Sequence, residues 1–315
     1  MLSTLLRTML AIELLFHAWL GGHLLQGGMR VGAALALVVM IAMLWRISQA
    51  LLSFMLATAM RWRDRRSLPF GNALAALASE FKARSVIYNW SQPFDGLAIG
   101  RDPVGTSTDT SADTPAGTST GMPVLLVHGY VCNRGLWVRF RRLLADARVG
   151  PVYTISMEPL FGSIDTMASR LAARVEAICR DTGRDQIAIV AHSMGGLIVR
   201  AYLAHDRAAR VARLITLGSP HHGTRMASLG IGDCARQMRW QSAWLADLAH
   251  EERVHPRRVP TLSVYSLSDD LVYPPESGVL PWAENVPVTA LGHVALVFSG
   301  AVANRVIAFL RQPVH

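Results

Sequence analysis

The sequence predicts an α/β fold, with a mostly parallel central sheet, helices on both faces and N-terminal transmembrane helices ahead of it. Three observations carry this. From residue 123 onward, short apolar runs alternate with stretches of helical spacing, as buried parallel strands and their covering helices do. One such run passes through Ala191-His192-Ser193-Met194-Gly195-Gly196 directly into a helical pattern. Hydrophobic residues make up 51% and charged residues 17% of the 315 residues, too apolar for an ordinary soluble chain, and the excess lies in the first sixty or so.

Residues 31–45, VGAALALVVMIAMLW, carry no charge; Arg46 follows, and a further apolar run covers residues 50–60. A span needs about 20 residues. Arg46 is therefore expected to snorkel or sit in the interface, since a central Arg costs roughly 2.5–3.5 kcal/mol on insertion scales. The earlier segment, residues 8–25, contains Glu13 and His17, four apart on one helical face and able to pair with each other. Gly21, Gly22, Gly27 and Gly28 mark the connection. The pattern predicts a helical hairpin, or one span plus an interfacial helix. Two apolar segments exceed one signal-peptide core, and no clear cleavage pattern follows the first. Arg61, Arg63, Arg65 and Arg66 come directly after the second segment, which by the positive-inside rule sets this end in the cytoplasm, with Arg7 on the same side. Residues 1–66 thus read as an inner-membrane anchor with a basic flank, the following domain being cytoplasmic.

The net charge is +9, from 31 basic residues of which only Lys82 is a lysine. The arginines are scattered rather than gathered in one stripe. That argues for a solvated surface with a membrane-side patch and against nucleic-acid binding. Cys132, Cys179 and Cys234 have neither paired nor metal-ligand spacing and read as small buried hydrophobes.

Residues 67–99 read as a lead-in, helical over 70–82 and extended after that. Residues 100–122 are almost purely Thr, Ser, Asp, Gly, Ala and Pro. Such a segment buries too little apolar surface to offset its ordering entropy, so a disordered surface loop is expected. Strands are expected over residues 124–129, 151–157, 186–193, 211–220, 261–270 and 286–293. Helices are expected over 163–180, where Ile164, Met167, Leu171, Val175 and Ile178 share a face, and over 295–311. Residues 123–315 form one domain on this reading.

Ser193 is the candidate nucleophile. It sits at a strand-to-helix junction, where small neighbours at Ala191 and Gly195 permit a tight turn that exposes the hydroxyl. The helix that follows points its N-terminal amides at any anion formed there. A serine needs a base and a group that orients the base. Among the later histidines only His293 follows a strand-like segment and a glycine, just before the last helix. The acid belongs at the end of the preceding strand, where Asp269 and Asp270 stand; the spacing to Pro274 favours Asp269, leaving Asp270 as the alternative acid and otherwise an ordinary turn residue. Gly129 permits a turn that can aim the backbone N–H of Tyr130 at a developing oxyanion, with the N–H of Met194 as second donor. His128 reads as a structural hydrogen-bonding residue. The side chain of His192 is expected to point away from the nucleophile.

Residues 123–311 resemble the lipase and esterase branch of the α/β-hydrolase superfamily. The resemblance rests on His128-Gly129, on Ala191-x-Ser193-x-Gly195, on Leu217-Gly218-Ser219-Pro220-His221-His222-Gly223-Thr224, on residues 269–274 and on Gly292-His293. The Gly-Ser-Pro-His-His-Gly-Thr stretch is similar to one in bacterial triacylglycerol lipases. Two departures stand out: Ala191 where Gly is commoner, and Asn133-Arg134-Gly135 in place of a glycine run. The resemblance implies the α/β-hydrolase fold and hydrolysis of acyl or lipid esters without metal or organic cofactor. The same triad would serve an acyltransferase, thioesterase or amidase, and a non-catalytic membrane-tethered binding protein is the rival from another class. Residues 225–258, with Trp240, Trp244, Leu245 and Leu248 three or four apart, read either as a cap or lid over the site or as a surface helix packed on the sheet.

Overall fold

The computed structural model describes residues 1–102, 121–205, 210–256 and 259–313. Most of the low-complexity segment expected to be disordered, residues 103–120, lies outside them.

The chain opens with α1 (Leu2–Gln26) and α2 (Val31–Arg63), antiparallel arms of a hairpin. Both are long and apolar enough to cross a membrane. At 33 residues α2 is one unbroken helix of roughly 50 Å. Its C-terminal half is not free: Ala50, Ser53, Phe54, Ala57 and Arg61 form a buried stripe, the i, i+3, i+4 pattern of one helix face. Glu13 does not pair with His17 as expected. The His17 ring bonds the Glu13 carbonyl at 2.8 Å, and the Glu13 carboxylate pairs with Arg46 across the hairpin. Arg46 therefore has a partner within the hairpin.

Next come α3 (Phe70–Val86), a π-helical turn (Ile87–Ser91) and α4 (Asp95–Ile99). Helix continues where an extended stretch was expected after residue 82. The β-branched and aromatic run Val86-Ile87-Tyr88 favours strand only weakly. Packing prevails: Ile87 and Ser91 are fully buried, and a Cβ on Gly135 would lie 2.1 Å from the Ser91 carbonyl oxygen.

The sheet is wholly parallel, in the order β2-β1-β3-β4-β5-β6. Its strands are β1 (Val124–Val127), β2 (Val152–Ile155), β3 (Ile187–His192), β4 (Val211–Leu217), β5 (Thr261–Ser266) and β6 (Glu284–Val288). The connecting helices are α5 (Val138–Asp146), α6 (Ile164–Thr182), α7 (Met194–His205), α8 (Gly232–Gln237), α9 (Ala243–Val254) and α10 (Gly300–Leu310). Alternation along the strands splits the core in two. Leu125, Val127, Ile189 and Ala191 face a cluster with α6, α7 and α9, whereas Val124, Leu126, Ala188 and Val190 face one with α3, α5 and α10. Burial on both faces explains why these strands read as continuous apolar runs.

The last helix was expected from residue 295. Instead a 3-10 turn (Val294–Phe298) precedes α10, and Ser299 caps α10 by accepting the Val302 N–H at 3.3 Å. Ser299-Gly300 breaks the helix, Ser because its hydroxyl offers the backbone a cap. The three cysteines are free and buried.

Candidate active site

Ser193 stands between β3 and α7 with φ at +56°, the left-handed region, which costs a side chain steric strain. Its N–H donates to the Leu217 carbonyl at 2.9 Å, and its carbonyl accepts from Gly196 at 3.0 Å. The turn is possible because its neighbours are small. A Cβ at Gly195 would lie 2.6 Å from the Val127 carbonyl oxygen; one at Gly129 would lie 2.7 Å from the Ser193 Cβ and 3.2 Å from the Met194 nitrogen. The Gly129-Tyr130 turn is thus pressed against the elbow. As the first residue of α7, Met194 carries an N–H that no helical carbonyl can accept.

Asp269 lies on the loop after β5 and His293 on the loop after β6. The His293 Nδ1–H donates to Asp269 Oδ2 at 2.9 Å, and Asp269 Oδ1 accepts the N–H groups of Leu271 and Val272 at 2.8 and 2.7 Å. Both residues are buried. With its Nδ1 proton on the carboxylate, the ring keeps an unprotonated Nε2, the tautomer a general base needs. Burial works against protonation of His293, but the Asp269 charge and hydrogen bond outweigh it, with Glu80 and Asp270 adding, and its pKa lies above the ordinary 6.5. Gly218, at φ +59°, floors the pair: a Cβ there would come within 3.3 Å of His293 Nδ1 and 3.4 Å of Asp269 Oδ2.

Asp270 does not touch the imidazole. Nor is it the ordinary turn residue expected of whichever aspartate was not the acid. It is wholly buried: its Oδ1 accepts the His293 backbone N–H at 3.0 Å, and its Oδ2 meets Ser53 Oγ and Arg84 Nη2, each at 2.6 Å. Beside it Glu80 is also wholly buried, takes the Arg84 Nε–H at 2.7 Å and accepts the Ala295 N–H at 2.9 Å. Burial and then the Asp270 charge raise the Glu80 pKa to about 7, against the pull of Arg84 and His293.

His128 is structural: its Nδ1–H donates to the Gly129 carbonyl and its Nε2 accepts the Met157 N–H, both at 2.9 Å. Burial lowers its pKa to about 4, so it stays neutral. His192 packs on His293. Its ring lies against His293, centroids 4.6 Å apart, and its Nε2–H donates to the His293 carbonyl at 3.1 Å. Burial, then the neighbouring His293, keeps it well below the ordinary histidine range. It braces the loop that carries His293.

Residues 225–258 divide. The first part, a 3-10 turn (Arg225–Leu229) and α8, rims the site: the Tyr130 hydroxyl bonds the Ile231 backbone at 2.9 and 3.0 Å, and Leu229 and Ile231 are exposed at 62% and 63%. In the second part α9 packs on α7, with Leu245 and Leu248 in the core and Trp244 Nε1 donating to Asp165 at 3.0 Å. Among the described residues no group of three His, Cys, Asp or Glu could hold a metal ion.

A parallel sheet with a serine elbow after its third strand and an acid and a histidine after its last two defines an α/β-hydrolase-fold protein. Residues 122–271 match the family described as alpha/beta hydrolase fold. Within that fold the chain is similar to lipases. A triacylglycerol lipase of Burkholderia plantarii is 30% identical over 141 residues, which are 42% of this chain and 37% of that protein. The chain thus spans 37% of that relative's length. Among solved structures, Aspergillus fumigatus lipase B superposes with a TM-score of 0.60 at 17% identity, over 76% of this chain and 73% of its own. The mature form of the Bacillus licheniformis lipase BlEst2 gives 0.54 at 19% identity, over 63% of this chain and 94% of its own.

Proposed function

We propose that this chain is a membrane-anchored serine hydrolase of carboxylic esters, with lipid or acyl esters as substrates. The observation that carries the reading is the buried 2.9 Å His293–Asp269 bond, together with the strained turn at Ser193, whose chain neighbour His192 packs its ring 4.6 Å from that of His293. His293 Nε2 takes the Ser193 proton as Oγ attacks the ester carbonyl, and Asp269 stabilises the imidazolium. The N–H groups of Tyr130 and Met194 hold the oxyanion. His293 then gives its proton to the leaving alcohol, leaving an acyl-serine that water, deprotonated by the same imidazole, cleaves to the acid. Each oxyanion donor is worth on the order of 10²–10³ in rate.

Residues 1–66 anchor this domain in the inner membrane, with residues 123–315 on the cytoplasmic side. Of the four arginines in the last turn of α2 and just after it, Arg63 and Arg65 support that orientation. Arg61 is buried against the domain and Arg66 pairs with Glu276 at 2.6 Å.

Fluorophosphonate labelling of the purified chain with peptide mapping tests the chemistry. Label is expected on Ser193 alone, and Ser193→Ala is expected to lose p-nitrophenyl ester turnover by several orders of magnitude while folding normally. Turnover that survives in Ser193→Ala would overturn the nucleophile.

A further inference from the structure

The loop bearing Asp269 and Asp270 is held largely from outside the sheet domain. Four side chains from the first hundred residues reach it or the His293 loop beside it. From α2, Ser53 Oγ lies 2.6 Å from Asp270 Oδ2, nearer than the 3.0 Å to its own helix carbonyl at Ala50. Arg61 Nη2 donates to the Asp269 carbonyl at 2.9 Å, its guanidinium 5.2 Å from the centre of the Tyr273 ring. From α3, Arg84 bridges Glu80 and Asp270, while Glu80 accepts the Ala295 N–H at 2.9 Å. The two carboxylates thus clamp the backbone on either side of the base, at His293 and Ala295. Gly292 makes room, since a Cβ there would meet the Glu80 side chain at 2.5 Å.

Two buried carboxylates around one guanidinium are a poor way to gain stability, because their desolvation offsets most of the attraction. Geometry is what they do supply. Ser53 neutralises no charge; it fixes the direction of one carboxylate whose other oxygen holds the His293 N–H. Arg61 grips the backbone of the acid itself. Both stand on the helix that also forms the apolar hairpin.

We propose that the C-terminal half of α2 is a positioning element for the hydrolytic site: through Ser53 and Arg61 it sets the Asp269-Asp270 turn, and so the base, as long as the hairpin is docked. Neither residue touches the reacting atoms. The inference rests on the Ser193, Asp269, His293 reading, and residues 1–99 lie outside the stretch matching the hydrolase family.

The test uses the full chain in detergent micelles and compares Ser53→Thr with Ser53→Val, which share a shape and differ by the hydroxyl. Readouts are the rate of fluorophosphonate labelling at Ser193, kcat and KM for p-nitrophenyl butyrate across pH, and Tm. Ser53→Thr is expected to exceed Ser53→Val in kcat and labelling rate by roughly three- to tenfold, a fraction of what a full ångström of misplacement costs. KM is expected to stay within about twofold. The acid limb of kcat is expected to move to lower pH in Ser53→Val as Asp269 loosens from His293. Equal rates in the two variants overturn the inference. Should Ser53→Val fail to fold, Arg61→Lys against Arg61→Met decides by the same readouts. Wild-type label anywhere but Ser193 overturns the triad reading and the inference with it; label on Ser193 with equal variant rates overturns the inference alone.

Discussion

At the residue scale the two adjacent aspartates have the same chemistry and different partners. Asp269 holds the imidazole and Asp270 the backbone beneath it. Removing each charge should therefore cost different things. Asp269→Asn presents an amide to Nδ1, which favours the wrong tautomer, and in the serine-triad template that change costs about 10⁴ in kcat. Asp270→Asn keeps an oxygen for the His293 N–H and loses the Arg84 ion pair, so a loss of about tenfold is expected. The pH profile separates them further. A general base works unprotonated, so activity is present above its pKa and lost below it. Because Asp269 raises the His293 pKa above 6.5, the acid limb of kcat/KM should stand above that value in the wild type. It should move to lower pH in Asp269→Asn. Steady-state kinetics of both variants across pH checks this, and a larger loss in Asp270→Asn would reverse the assignment.

At the scale of elements, legibility in the sequence followed periodicity. All six strands were readable, five of them because burial on both faces leaves an apolar run; β6 is an exposed edge strand and departs furthest, expected over 286–293 and found over Glu284–Val288. Ser193, Asp269 and His293 stood out as candidates because each lies on the connection that follows a strand, next to a glycine or a turn. The supporting network did not. Ser53, Arg61, Glu80 and Arg84 lie at least 180 positions from the residues they hold, and no local pattern encodes such a contact. A weak signal existed in α2, where Ser53, Ala57 and Arg61 interrupt an apolar helix on one face. In α3 the Glu80–Arg84 pair has i, i+4 spacing and looks like any surface ion pair. Its burial is what distinguishes it, and burial is a tertiary fact. Glu80 gives α3 a measurable signature. Its carboxyl has a folded pKa of about 7 against an ordinary 4.5, with Asp270, Arg84 and His293 around it. The folded state therefore binds the proton more tightly than the unfolded one. The stability this supplies is complete below 4.5 and lost as pH rises through about 7. Wild type should lose Tm relative to Glu80→Gln across that window. Parallel thermal melts at several pH values read the difference directly, and a constant offset would show that Glu80 does not titrate there.

At the scale of the whole molecule, the hairpin and the sheet domain share contacts at both ends of the hairpin's chain. The α1 N-terminus meets the loop after β1, where Ser3 Oγ accepts from Asn133 at 3.0 Å and donates to Asp95 at 2.8 Å, while the end of α2 meets the acid loop. The Glu13–Arg46 pair lies part-way along the hairpin. Beyond it the arms have 13 and 15 residues, roughly 20–22 Å of helix. A hydrocarbon core is about 30 Å thick. A hairpin crossing that thickness must use the half that lies against the domain too, and its outer residues suit this: Leu5, Met9, Leu52 and Met55 are all half or more exposed. The ion pair then sits within the apolar layer, where either charge alone is expensive. Glu13→Gln strands Arg46 and should lower the resistance of the hairpin to denaturing detergent. Arg46→Leu strands Glu13 and should do the same. The double variant removes both charges and should recover most of the loss, because a charge pair in a poorly solvating medium is costly chiefly when it is broken. Tryptophan fluorescence during titration with sodium dodecyl sulfate follows this through Trp19 and Trp45, which flank the pair on the two arms. Losses that simply add in the double variant would mean that the two charges act independently, with water reaching each of them.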